Sequence, residues 1–109
     1  MKKYPLGEFE EIVLLTVGVL FNEAYGVAIK DEIEKRLERK VSVGALQSAL
    51  RRMEEKGYLN SRHGEKTSAR GGKRKRFFTM TAYGKNALEH AREMRNGLWD
   101  DIPDLAFDL

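Results

Sequence analysis

Residues 42–58 read Ser42-Val43-Gly44-Ala45-Leu46-Gln47-Ser48-Ala49-Leu50-Arg51-Arg52-Met53-Glu54-Glu55-Lys56-Gly57-Tyr58, and the reading of this stretch decides the fold. Ser42 stands where a helix cap is expected, its side-chain oxygen able to accept from the free N–H groups of the next turn. A helix is predicted over Val43 to Lys56, stopped by Gly57. Val43, Leu46, Leu50 and Met53 fall on one stripe and are expected to face the core. At about 100° per residue the opposite side presents Gly44, Ser48, Arg51, Arg52 and Glu55, with Ala45 and Gln47 on the flanks.

Upstream, Glu8 to Phe21 carries Phe9, Ile12, Val13, Leu15, Val17, Val19 and Leu20, more apolar positions than one helix face can hold. A first helix buried on two sides follows, one side open to a partner subunit. After a turn at Asn22 to Tyr25, an amphipathic helix is predicted from Gly26 to Glu38, with Val27, Ile29 or Ala28, Ile33 and Leu37 inward. Downstream, Tyr58 to His63 and Arg76 to Met80 read as two short strands joined by a long loop that contains Gly71 and Gly72. Thr81 caps a last helix from Ala82 to Gly97. Pro5 and Pro103 are the two prolines, so no breaker interrupts the centre. The order is three helices, a hairpin and a helix. The expected fold is therefore mainly α with a small β-hairpin, a winged helix-turn-helix over 1–80, a C-terminal dimerisation helix over 81–98 and an acidic-apolar tail over 99–109.

The chain has 109 residues, 41% hydrophobic and 34% charged, enough for one core and hardly for two. The absence of cysteine rules out a disulfide framework, a thiolate metal site and a cysteine nucleophile, and it fits a reducing, cytoplasmic setting. The longest apolar run, Ile12 to Phe21, is about half of what a bilayer requires and follows acidic residues, so neither a signal peptide nor a membrane span is expected. A formal charge of +3 is uninformative as an average. Arg51 to Arg76, however, holds ten basic residues against three acidic ones, a local +7 that leaves −4 for the remainder. Such segregation suits a protein that presents one face to a polyanion.

The small residues at the start of the third helix would let its backbone approach a groove floor, and its N–H groups and dipole suit a phosphate. Ser42, Gly44, Ala45, Gln47, Ser48, Arg51 and Arg52 are the candidate contacts. Arginine can pair with guanine and glutamine with adenine, each worth roughly 1–3 kcal/mol of discrimination. The loop adds Lys66, Arg70, Gly71, Gly72, Lys73, Arg74 and Lys75. Two glycines permit a tight reversal, and crowded like charges are better explained by phosphates than by packing. Double-stranded DNA is thus the expected partner, with no metal and no cofactor. Catalysis is not expected, because His63 and His90 have no nearby nucleophile or ligand cluster. The rival reading is a winged-helix module used for protein contacts or RNA.

Several ordered motifs resemble the PadR family of bacterial transcriptional regulators, in its compact form with a single C-terminal helix. They are Leu6-Gly7-Glu8-Phe9-Glu10, Ala24-Tyr25-Gly26-Val27, Ser42-Val43-Gly44-Ala45-Leu46, Leu50 to Tyr58, Arg70 to Phe78 and Thr81-Ala82-Tyr83-Gly84. The resemblance implies a homodimeric DNA-binding regulator, usually a repressor, whose third helix and wing contact an inverted-repeat operator. Relatives often control transporter or stress-response genes. Gln47 departs from the pattern, since the family commonly has a tyrosine there that meets the DNA backbone. The chain is also too short for the additional helical domain of longer members.

On the last helix, Gly84, Ala87, Ala91, Met94 and Leu98 alternate spacings of three and four, as a helix–helix seam requires. With Phe9, Ile12, Leu15 and Val19 of the first helix they form the expected dimer interface. A two-fold dimer would place its reading helices about 34–36 Å apart. In compact relatives an aromatic near this helix end lines a cavity that accepts flat apolar molecules, which makes Met94 and Trp99 candidates for contact with a small apolar effector. Beyond it, Asp100, Asp101, Asp104 and Asp108 alternate with Ile102, Leu105, Phe107 and Leu109, a docking segment or a frayed end.

Overall fold

The computed structural model describes residues 3–64 and 74–108. Its elements are α1 (Glu8–Leu20), α2 (Gly26–Leu37), α3 (Val43–Glu55), β1 (Leu59–His63), β2 (Arg76–Met80) and α4 (Ala82–Asp100), with single 3-10 turns at Phe21–Glu23 and Asp104–Ala106. The order is the expected one.

Helices α1, α2 and α3 close on one core in which Val13, Leu14 and Val17 meet Ile29 and Ile33, then Leu46, Ala49, Leu50 and Met53. Tyr58, Leu59 and Phe78 of the hairpin and Ala87 of α4 complete it. Val43 differs from expectation: it is 59% exposed, and Ala49 takes the remaining core position of α3. The first turn of α3 stands clear of the core, so its residues serve the surface.

Termini account for the other differences. Phe21 adopts φ 50, which ends α1 one residue early, and Glu38 closes α2 in the left-handed region at φ 51. The end of α3 is secured by Gly57 at φ 83. The Tyr58 N–H donates to the Met53 carbonyl (2.8 Å) and the Gly57 N–H to that of Glu54 (3.0 Å), so the reversal needs a residue at ease with positive φ. Helix α4, expected to stop at Gly97, continues through Asp100, and the Asp101 N–H still reaches the Gly97 carbonyl (3.2 Å). Glycine weakens a helix interior by about 1 kcal/mol without ending it, whereas Pro103 cannot continue it.

The strands pair antiparallel with Leu59 opposite Met80 and His63 opposite Arg76. A feature absent from the sequence reading joins this hairpin to the helices: Tyr25 bridges Phe77, and the Phe78 N–H donates to the Ala24 carbonyl (2.8 Å). The connection between α1 and α2 thus acts as a short third strand. Gly84, at the start of α4, lies so close to the Tyr58 carbonyl that an added Cβ would collide with it. Beyond Ala91 every α4 residue is exposed, and Arg95 still pairs with Glu11 of α1 (2.7 Å).

Candidate nucleic-acid interface

The α2–α3 turn fixes where α3 points. The Glu34 carboxylate accepts the Val41 N–H (2.7 Å) and Lys30 Nζ (3.1 Å), and these contacts hold its pKa below the ordinary carboxylate value. Ser42 Oγ then accepts the Ala45 N–H (3.2 Å), as the cap position requires. Gly44, Ala45, Gln47 and Arg51 are exposed and Ser48 is half-buried, so the N-terminal part of α3 offers a low surface followed by one long cation. Arg51 is 72% exposed, and its nearest carboxylate, Glu55, lies 4.0 Å away.

Two grooves border this surface and share Gln47. One runs between the starts of α2 and α3 and the base of the wing, lined by Tyr25, Gly26, Lys30, Gln47, Lys75 and Arg76 among others. Gly26 has no side chain to displace the Gln47 amide, which would stand 3.3 Å from a Cβ placed there. The second groove runs between α3 and β2 and is lined by Gln47, Ser48, Arg51, Glu54 and Arg76. At the wing base, Lys75 Nζ lies 4.2 Å from the Tyr25 ring centre and the Arg62 guanidinium 4.8 Å from that of Phe77. These rings support the cations from below while leaving their charge outward. Arg74 and Lys75 are exposed. Lys66, Arg70, Gly71, Gly72 and Lys73 lie outside the described residues.

Glu54 and Glu10 organise the interface, and sequence reasoning missed both. Glu54 accepts Ser61 Oγ from β1 (2.7 Å) and Arg76 Nη2 from β2 (2.7 Å), which ties the wing to the reading helix. Glu10 is nearly buried and accepts the Gly7 N–H (2.8 Å), Lys56 Nζ (2.9 and 3.1 Å) and Arg52 Nε (3.1 Å). Burial alone would raise its pKa, but the Gly7 N–H and the two cations together hold it below the ordinary value. Arg52 was expected on the reading face. The structure turns it toward the start of α1, where Glu10 holds it. Within the basic stretch Glu54 counts only as one of three acidic residues; for Glu10 the available signal was a carboxylate in an apolar helix, three residues after Gly7.

The N-terminal segment continues this linkage to α4. The Pro5 carbonyl accepts Lys56 Nζ (3.2 Å) and the Tyr58 hydroxyl (3.0 Å), and the Lys3 carbonyl accepts the Tyr83 hydroxyl (2.9 Å). The Tyr4 ring lies 5.3 Å from that of Tyr83 and 5.4 Å from that of His90.

The expected dimer residues divide. Leu15, Val19, Met94 and Leu98 are exposed at 49, 55, 56 and 69%, while Ile12 and Ala91 are half-buried. Ala87 is buried in its own chain, so it is unavailable to a partner, and Gly84 serves the same internal contact. Phe9 packs partly against its own core, with the Arg39 guanidinium 5.8 Å from its ring centre. Trp99 is 67% exposed and belongs to α4 rather than to the tail.

A capped helix with a low, then cationic, outer face beside a hairpin wing of basic residues defines a winged-helix DNA-binding protein. The model of the PadR-like family of transcriptional regulators matches residues 14–90, and the chain belongs to that family. Comparison with curated proteins finds no match. Among solved structures, a PadR family transcription regulator from Clostridium difficile R20291 is similar at 27% identity and TM-score 0.64, covering 82% of this chain and 91% of that one. A PadR family regulator from Eggerthella lenta shares the fold at 23% identity and TM-score 0.69, over 94% and 88% of the two chains. Bacillus subtilis PadR, solved in complex with operator DNA, does so at 18% identity and TM-score 0.64, over 80% of this chain and 48% of that one. The protein is accordingly a DNA-binding transcription regulator. Among the described residues, no helix is long and apolar enough to cross a membrane.

Proposed function

We propose that the protein is a repressor that binds an inverted-repeat operator as a homodimer. The observation that carries this reading is the exposed outer face of α3, with Gly44, Ala45, Gln47 and Arg51, flanked by Lys30 on one side and by Lys75 and Arg76 on the other. Gln47, Ser48 and Arg51 read base edges, while Arg74 and Lys75, with the residues of the wing beyond them, hold backbone phosphates. The solved complex of Bacillus subtilis PadR with operator DNA supports the assignment of the partner. The apolar residues left open on α1 and α4 supply the homodimer contact, with Leu15, Val19, Met94 and Leu98 at its centre. Between the two α4 helices, Met94 and Trp99 receive a flat apolar effector whose binding releases the operator.

Titration of labelled promoter DNA and of random duplex at several salt concentrations tests the reading. Specific recognition gives an affinity gap that survives moderate salt. Equal binding to both duplexes overturns operator recognition and leaves a winged-helix module with another partner. A promoter–reporter strain with and without the gene separates repression from activation.

A further inference from the structure

Two apolar surfaces flank α1 and meet at Leu15. The first lies between α1 and α4, where Leu15 and Leu88 are bordered by Lys85, Glu89, Arg92 and the Arg95–Glu11 ion pair (2.7 Å); the homodimer reading assigns it to the partner's α4. The second, of about 220 Å³, lies between α1 and α2 and has a floor of Ile12, Leu15, Val19, Ile33 and Leu37 with Arg36 at its edge. Leu15, Val19 and Leu37 are exposed at 49, 55 and 42%, so none of the described residues covers it.

The segment after α4 has the matching chemistry. Leu105 is 98% exposed at a 3-10 turn, and the rings of Trp99 and Phe107 stand 6.1 Å apart on either side of it. This closure leaves Leu105 as the most exposed apolar side chain of the segment, ahead of Phe107 at 40% and Ile102 at 38%. Asp100, Asp101, Asp104 and Asp108 surround it, with no lysine or arginine between residues 100 and 108. The groove, by contrast, is edged by Arg36, which pairs with Glu32 (2.6 Å), and the last turn of α2 and the residues after it carry Lys35, Arg39 and Lys40 beside Glu38. Groove and segment are both exposed within one chain, so the segment does not fill its own groove.

We infer that the segment after α4 docks in the α1–α2 groove of a second copy of the chain, with Leu105 on the apolar floor and the aspartates facing Lys35, Arg36, Arg39 and Lys40. This inference rests on the homodimer reading. Once the partner's α4 lies along the first surface, its end is delivered to the flank of α1, where the second surface begins at the shared Leu15. The acidic character of the segment then has a purpose that a frayed end would not have: it gives the contact its direction.

Because the chain has no cysteine, introduced thiols report on this contact without background. Full-length Leu105→Cys and Val19→Cys proteins are mixed, allowed to exchange subunits and oxidised, and disulfide-linked species are separated without reductant. Docking predicts a mixed Leu105→Cys/Val19→Cys dimer in clear excess over that formed by Leu105→Cys with Asn60→Cys, an exposed control on β1. Light scattering of the wild type runs in parallel. A wild-type dimer without excess cross-linking overturns the docking and leaves the homodimer standing, while a monomer at every concentration overturns both. Leu105→Asp supplies a second measurement, with the dimer dissociation constant expected to rise roughly ten- to a hundredfold. An unchanged constant overturns the assignment of Leu105.

Discussion

Two faces of α3 carry similar charges and do opposite things. On the outward face, Arg51 is 72% exposed and 4.0 Å from the Glu55 carboxylate. One residue later, Arg52 is drawn to a nearly buried Glu10, and Lys56 joins it at 2.9 Å. Adjacent residues on a helix differ by about 100° in direction, so a single step separates the face toward DNA from the face toward the fold. A reading helix must be exposed to read and held to read accurately. The division of labour between its faces meets both needs, with the held, C-terminal end anchored through Glu10 to the N-terminal segment and, through Pro5 and Lys3, to the start of α4.

The largest effect is expected at the held end. Glu10→Ala leaves Arg52, Lys56 and the Gly7 N–H without their shared acceptor, and stability should fall by about 2–3 kcal/mol, read from urea unfolding midpoints. Arg52 and Lys56 remain partly solvated, which keeps the loss below that of a sealed ion pair. Glu10 also sets a pH signature. Its folded pKa is depressed, so its contribution is complete above the unfolded carboxylate value and is lost as pH falls through the lower folded one. The stability gap between wild type and Glu10→Gln should therefore be constant near neutrality and narrow under acid conditions. A gap that widened on acidification would show that Glu10 is not the anchor.

The next effect separates the two arginines directly. Arg51→Ala should cost about 1–3 kcal/mol of discrimination between operator and random duplex and leave the unfolding midpoint within about 0.5 kcal/mol of wild type. Arg52→Ala should do the reverse, lowering stability by about 1 kcal/mol while sequence preference persists. Matched losses of base preference in both variants would mean that Arg52 leaves Glu10 to reach the DNA, and the contrast between the two faces would collapse.

How much of this was legible beforehand depends on the range of the interactions involved. The cap at Ser42, the stop at Gly57 and the core stripe Leu46, Leu50 and Met53 rest on neighbours within a turn or two, and sequence spacing encodes them. The helix-to-hairpin order and the family follow from these local signals. Arg52 was misplaced because its partner lies 42 positions away, and no periodicity within α3 reports on a carboxylate in α1. The same limit hid the pairing of Ala24 and Tyr25 with β2 and the contact of Glu54 with both strands. Ala87 and Gly84 illustrate a different ambiguity. Small residues at helical spacing permit close approach to any neighbour, and here the neighbour is the chain's own Tyr58 carbonyl rather than a second copy. Val43 failed for a third reason: a first-turn residue can satisfy the stripe and still project beyond the end of the core.

The smallest expected effect concerns the wing base, which resembles neither face of α3. Lys75 makes a cation–π contact with Tyr25, so its charge is oriented without being neutralised. It is therefore predicted to act on DNA as a phosphate contact alone. Lys75→Ala should weaken binding to operator and random duplex by the same factor and reduce the slope of log affinity against log salt by about 1. The unfolding midpoint should move by no more than about 0.5 kcal/mol, the usual range for an exposed side chain. If the loss instead fell on the operator alone, Lys75 would be reading bases, and the base-reading surface would extend from α3 across the groove that Gln47 shares with the wing.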